Sequence, residues 1–131
     1  MPTTYVAVDV ETTGLNPSRD AIIEIAAITF REAAIVDEFA SLVNPLADIP
    51  PFITQLTTIT NEMVADAPTL HTLRPKLRAK LGDNVLIGHN VDFDLGFLRA
   101  AQLAFGNRRI DTLTLASILV PAAGRFLSLI H

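Results

Sequence analysis

The segment Val8-Asp9-Val10-Glu11-Thr12-Thr13-Gly14-Leu15 decides how this chain is read. Two carboxylates stand two residues apart in an apolar run, and a turn of small residues follows at once. Tyr5 to Glu11 alternates with the period of a strand, which predicts that Tyr5, Ala7, Asp9 and Glu11 share one face. Like charges pointing the same way at a strand end repel each other, and a cation between them offsets that cost. Alone, an Asp-x-Glu pair reads as a solvated strand end. The Thr-Thr-Gly-Leu turn shifts the reading toward a site, because it puts small, hydrogen-bonding residues beside the acids.

A second stretch, Gly88-His89-Asn90-Val91-Asp92-Phe93-Asp94-Leu95-Gly96-Phe97-Leu98, joins His-Asn, Phe-Asp and Phe-Leu in close order. Leu56 to Val64 and Arg109-Ile110-Asp111-Thr112-Leu113 add two more segments. In this order the four resemble the motifs of the DEDD superfamily of 3′–5′ exonucleases, which includes the proofreading epsilon subunits and exonuclease domains fused to polymerases or helicases. One short motif is weak; four in register are specific. Thr58 stands where the family usually has Gly. The family's third motif, a His followed five residues later by an Asp on a C-terminal helix, has no match before His131. The expectation is therefore one exonuclease-like domain over residues 1–131, incomplete at its C-terminus, with the final helix missing.

Composition narrows the classes. At 131 residues the chain is long enough for one core. A formal charge of −4 argues against capture of duplex nucleic acid by bulk positive charge. Cysteine is absent, which excludes disulfides, zinc–thiolate sites and a cysteine nucleophile. No secretory signal precedes Tyr5, so a cytoplasmic location is expected. The apolar run from Leu113 to Ile130 is interrupted by Pro121, Gly124 and Arg125 and does not read as a membrane span. Left partly uncovered, it is expected to drive self-association through Phe126, Leu127, Leu129 and Ile130.

Strands are predicted over Tyr5–Glu11, Ala21–Phe30 and Ala34–Val43, the last two joined at a polar break, Arg31-Glu32. Ile49-Pro50-Pro51 reads as the start of a loop. Thr60 caps a short helix through Val64. Ala67-Pro68-Thr69 opens another, with Leu70, Leu73, Leu77 and Leu81 on one face and a kink or break at Pro75. Val85–Gly88 is a short strand, and a helix capped by Asn90 or Asp92 runs from about Phe93 to Phe105, ended by Gly106-Asn107. Ile110-Asp111 is a strand, and a helix from Thr112 to about Val120 follows. The order β-β-β-α-β-α-β-α predicts an α/β domain: a three-strand antiparallel meander plus parallel strands in one mixed sheet with flanking helices. That is the ribonuclease H-like fold the resemblance also implies.

The resemblance implies a phosphodiester hydrolase with two Mg²⁺ or Mn²⁺ ions. It assigns Asp9, Glu11 and Asp94 as metal ligands and catalytic acids: Asp9 bridging both ions, Glu11 on the ion that activates water, Asp94 acting through bound water. With the family's last Asp and its His unmatched, the site is expected to be incomplete and hydrolysis slow or absent. Thr12, Thr13, Gly14 and Leu15 match positions that hold the 3′-terminal nucleotide, although simple turn bonding explains both threonines equally well. Phe93 stacks a base or packs in the core, and its apolar neighbours favour the core. His89 is read as ordering a loop rather than as a base, His71 as surface, and Asp92 as a lesser alternative to Asp94. Asp111 is read as a helix cap rather than a metal ligand. Arg108 and Arg109, and the group Arg74, Lys76, Arg78 and Lys80, are read as solvated faces.

The implied function is a metal-dependent 3′–5′ exonuclease on single-stranded ends, in DNA proofreading or repair. Oligoribonucleotide trimming is the alternative within the class. A catalytically impaired module that binds nucleic acid or a polymerase is the alternative outside it. The implied partners are a single-stranded 3′ end and a polymerase or helicase.

Overall fold

β1 (Thr4–Thr12) keeps the strand period of its sequence: Val6, Val8, Val10 and Thr12 are buried on one face, and Tyr5, Ala7, Asp9 and Glu11 lie on the other. The computed structural model describes residues 3–113. β1 is the central strand of a five-stranded sheet. It pairs antiparallel with β2 (Ile22–Arg31), which pairs antiparallel with β3 (Ala34–Leu42). On its other side it pairs parallel with β4 (Val85–Gly88), and β4 with β5 (Arg109–Asp111). The spatial order β3-β2-β1-β4-β5 is the expected meander plus parallel strands. The β2–β3 turn centres one residue later than the polar break suggested, on Glu32 and Ala33 at φ 52° and 64°. A two-residue turn with both φ positive follows the twist of the paired strands.

Among the described residues four helices connect or flank the strands, α1 (Pro51–Thr57), α2 (Asn61–Ala65), α3 (Leu70–Leu81) and α4 (Val91–Ala100), and helical geometry resumes at Thr112. Leu73, Leu77 and Leu81 of α3, with Leu95 and Leu98 of α4, pack on Val6, Val8, Val10 and Ile25 as the main core. A smaller cluster, Ile23, Ile49, Ile53, Ile59 and Val64, lies under α1 and α2.

Several expectations are corrected. Pro51 begins α1 rather than a loop, because proline is well placed at the first helical position, where its missing N–H costs nothing. Of the kink or break expected at Pro75, the break does not occur: α3 runs through it as one helix with a buried leucine stripe. α4 ends at Ala100 rather than near Phe105: Gln102, at φ 60°, reverses the chain, and Gln102 N–H and Leu103 N–H donate back to the Arg99 and Leu98 carbonyls at 3.0 and 2.8 Å. Arg74 and Arg78 are not merely solvated. Their Nε atoms donate to the Ala101 and Gln102 carbonyls at 3.0 and 2.8 Å, placing positive charge at the C-terminus of α4. Lys80 pairs with Asp37. Leu113 is exposed, while the expected helix to Val120 and the apolar segment carrying Phe126, Leu127, Leu129 and Ile130 fall outside the described residues.

Thr58 shows what its substitution for glycine costs. It follows α1 at φ 65°, with its N–H bonded to the Thr54 carbonyl at 2.8 Å. A β-branched residue in the left-handed region is strained by roughly 1–2 kcal/mol. Thr58→Gly is therefore expected to raise stability by about 1 kcal/mol, less than the full strain because glycine also loosens the unfolded chain. A melt should shift upward by about 3–5 °C; an unchanged or lower melting temperature would contradict the strain assignment.

Candidate active site

The candidate site begins where β1 loses its neighbour. Pairing with β4 ends at Ala7↔Ile87, and the chain leaves β4 at Gly88 to enter α4. The uncovered edge of β1 beyond that point is met by α4. Its buried stripe includes Val91, Asp94, Leu95 and Leu98, and the Val10 backbone N–H donates to the Asp94 carboxylate. Asp94 is only 4% exposed. Its pKa is pushed up to about 8, first by burial and then by the negative charge of Asp9, with Glu11 and Asp111 adding to the rise and the Val10 bond opposing it. Asp9 is exposed and Glu11 half-buried on the same face of β1. Asp94 thus comes over the strand edge into the field of both. Among the described residues no three His, Asp or Glu side chains close into a ready-made metal cage.

Glycine and hairpin register bring these groups together. A Cβ on Gly88 would lie 3.0 Å from Val91 Cγ2 and 3.3 Å from Asp94 Oδ2, so the missing side chain leaves room for that carboxylate. Opposite Glu11 in the β1–β2 ladder stands Glu24, and a register shift follows between Glu11 and Thr12. Directly paired residues share a face, so Glu24 is a further acid beside Glu11. Sequence reading missed it. The register of the β1–β2 pair, closed where Thr13 N–H donates to the Ala21 carbonyl, is the signal that identifies it.

The turn after β1 is bonded internally. Thr12 Oγ1 donates to the Gly14 carbonyl at 2.7 Å, and Thr13 Oγ1 accepts from Ala21 N–H at 2.9 Å. A Cβ on Gly14 would collide with the Asp20 carboxylate, which itself accepts from Asn16 N–H at 2.9 Å. Gly14 is thus required by its own turn. Leu15 stands 83% exposed at the tip. Phe93 leans on the core, its ring 5.2 Å from that of Phe97.

The two neighbouring aspartates separate clearly. Asp92 is exposed and pairs with Arg109, whereas Asp94 is buried against β1. Asn90 occupies the N-cap position of α4 but makes no cap bond with its side chain; it takes the left-handed conformation, φ 61°, that asparagine tolerates well. His71 is on the surface, 3.5 Å from an Arg74 nitrogen. His89 Nδ1 lies 3.4 Å from Thr112 Oγ1, at the junction of β4 and β5.

A family model described as "Exonuclease", of the RNase T type, matches residues 6–125, across both acidic segments. The chain belongs to this exonuclease family. It is 41% identical over 121 residues to a PolC-type DNA polymerase III of Clostridium perfringens, covering 89% of this chain and 8% of that protein. It is 49% identical over 105 residues to a Mycobacterium tuberculosis protein named as a bifunctional exonuclease/endonuclease, covering 76% of this chain and 16% of that one. The chain thus spans a small fraction of these relatives' length. Among solved structures, exonuclease X in complex with 5′-overhanging duplex DNA superposes with a TM-score of 0.70 at 31% identity, covering 89% of this chain and 64% of that one. A product-bound exonuclease I superposes at 0.76 with 19% identity, covering 95% and 34%, and there the likeness is one of fold. The mixed sheet with flanking helices is the ribonuclease H-like fold these exonucleases share.

Exonucleases of this family generally depend on divalent metal ions. The donor set fits such an ion: all the converging groups are hard carboxylate oxygens, and a carboxyl pushed up to about 8 by burial and by Asp9 is one that a positive charge would ionise. No helix among the described residues is long and apolar enough to cross a membrane.

Proposed function

We infer that this domain is a metal-dependent 3′–5′ exonuclease acting on single-stranded ends, with DNA as the first substrate and proofreading or repair as the setting. The observation that carries the reading is the approach of Asp94 to Val10, within the field of Asp9 and Glu11. Asp9, Glu11 and Asp94 would hold Mg²⁺ or Mn²⁺. Such ions, when bound, activate water and neutralise charge on the phosphoryl and leaving oxygens. The chain's own residues do the rest. Asp9 and Glu11 present their carboxylates from one strand face, and burial against β1 fixes the place of Asp94.

The turn and α1 supply the surface for a chain end. Leu15 stands 83% exposed at its tip. α1 packs through Ile53 with Ile23, the neighbour of Glu24, and displays Phe52 and Leu56, 68% and 70% exposed. Bases resting on these side chains would bring the terminal phosphodiester to the acids, with the Thr12-Thr13-Gly14 backbone beside the sugar. Phe93 contributes at its uncovered edge. The PolC-type relatives support a setting beside a polymerase.

With Mn²⁺, a 5′-labelled single-stranded DNA should shorten one nucleotide at a time, faster than an RNA of the same sequence, and a circular single strand should stay whole. Internal fragments from the circle would overturn the polarity. Faster loss of RNA would select oligoribonucleotide trimming, and binding without shortening would select the impaired module.

A further inference from the structure

α4 has an unusual first turn. The backbone N–H groups that open a helix have no partner within it and need a cap. Asn90 stands where a cap belongs, but in the left-handed conformation its side chain makes no cap bond. The partner comes from another strand. Asp111 Oδ1 accepts from Asn90 N–H at 3.0 Å, and its Oδ2 accepts from Val91 N–H at 3.3 Å. The same Oδ1 also accepts from Leu113 N–H at 2.9 Å, at the start of the next helical segment. Asp111 ends β5 and is the ladder partner of Gly88, the last residue of β4. Gly88 is also the residue whose missing Cβ leaves room for Asp94. At this one rung, a carboxylate holds the first turn of α4 from one side and a glycine makes space for its Asp94 on the other.

We propose that Asp111 is a positioning residue for Asp94: by clamping Asn90 and Val91 it fixes where α4 delivers the Asp94 carboxylate against Val10. Asp94 follows Val91 by three residues, less than one helical turn, so a shift at Val91 is passed on to it almost undiminished. Only a carboxylate meets all three donors. Asparagine keeps an oxygen for Asn90 and Leu113 but turns an NH₂ toward the Val91 N–H. The proposal rests on the exonuclease reading for its consequence in rate, though not for its geometry.

The test uses Asp111→Ala and Asp111→Asn in the full chain, with Asp94→Asn as reference. The Val10 amide resonance reports the Asp94 contact directly. In Asp111→Ala it should move toward its Asp94→Asn position, and in Asp111→Asn part of the way. Mn²⁺ affinity, read by electron paramagnetic resonance, should weaken about 10-fold, and turnover on single-stranded DNA should fall about 10–100-fold with KM little changed. A merely structural role would lower the melting temperature of the variants and leave the Val10 resonance in place. An unmoved Val10 resonance with Mn²⁺ affinity within about twofold of native overturns the proposal, whatever the nuclease rate. If the native chain does not cut DNA but the resonance and Mn²⁺ affinity shift as stated, the exonuclease reading falls and the positioning role stands. Should Asp111→Ala fail to fold, Asp111→Asn decides on the same two readings.

Discussion

Asp9→Ala is expected to lower 3′–5′ turnover by about three powers of ten while leaving the fold intact, in line with removal of a group that acts directly on the reacting centre. The side chain lies on the exposed face of β1, opposite buried Val8 and Val10, so its loss opens no core cavity. It also relieves repulsion with Asp94. Melting temperature should therefore hold or rise slightly as activity disappears. Asp9→Asn, which keeps the shape and removes the charge, should behave the same way. The measurement is the initial rate on a 5′-labelled single strand at saturating Mn²⁺, with thermal melts alongside. A variant rate within about tenfold of native would remove Asp9 from the site.

The second large effect is a dependence of stability on pH that runs opposite to the usual one for a carboxylate. The Asp94 carboxyl goes from an ordinary 3.8 up to about 8 in the folded protein, because it is buried and faces Asp9. Between those values the folded state holds a proton that the unfolded state has released, so stability falls as pH rises. The contribution is fully present below about pH 4 and is lost as pH climbs through 8. Its size is on the order of several kcal/mol at roughly 1.4 kcal/mol per pH unit, large against the 5–15 kcal/mol that holds a domain together. In EDTA, native protein should lose stability from pH 5 to pH 8 relative to Asp94→Asn, whose amide has nothing to ionise. Adding Mn²⁺ at pH 8 should recover stability in the native protein and not in the variant. Parallel pH curves for the two proteins would contradict the assignment of that burial cost to Asp94.

β1 was legible from its period, Val6, Val8 and Val10 alternating with residues of the other face, and β2 and β3 from their Ile and Val content on either side of a polar break. Asp94 was preferred to Asp92 because it follows Phe93 in the place that the family motif matches, and the structure sets it on the buried stripe of Val91, Leu95 and Leu98. Other features depend on contacts that no local pattern records. Glu24 joins the acids only through hairpin register, and Asp111 was readable as a cap for the helix after it but not for α4, which reaches it across the sheet. Arg74 and Arg78 looked solvated because the carbonyls they bind, of Ala101 and Gln102, lie just past the end of another helix. α1 was hidden by its two prolines, and the early end of α4 by a reversal built on glutamine where glycine is usual.

The place of β1 in the sheet has one more consequence, in the order of events by which the proposed site is assembled. Its pairing with β2 joins near neighbours, Glu11 with Glu24, while its pairing with β4 joins Tyr5 to Val85. Closing the larger loop carries the greater entropic cost, so the meander can form first. A chain at that stage displays Asp9 and Glu11 but has no Asp94 to complete them, because Asp94 arrives with β4 and α4. The same holds in reverse when β4 pulls away from its neighbour. On the proposed reading, the acid cluster is complete only once the sheet is, and nuclease chemistry waits for that step.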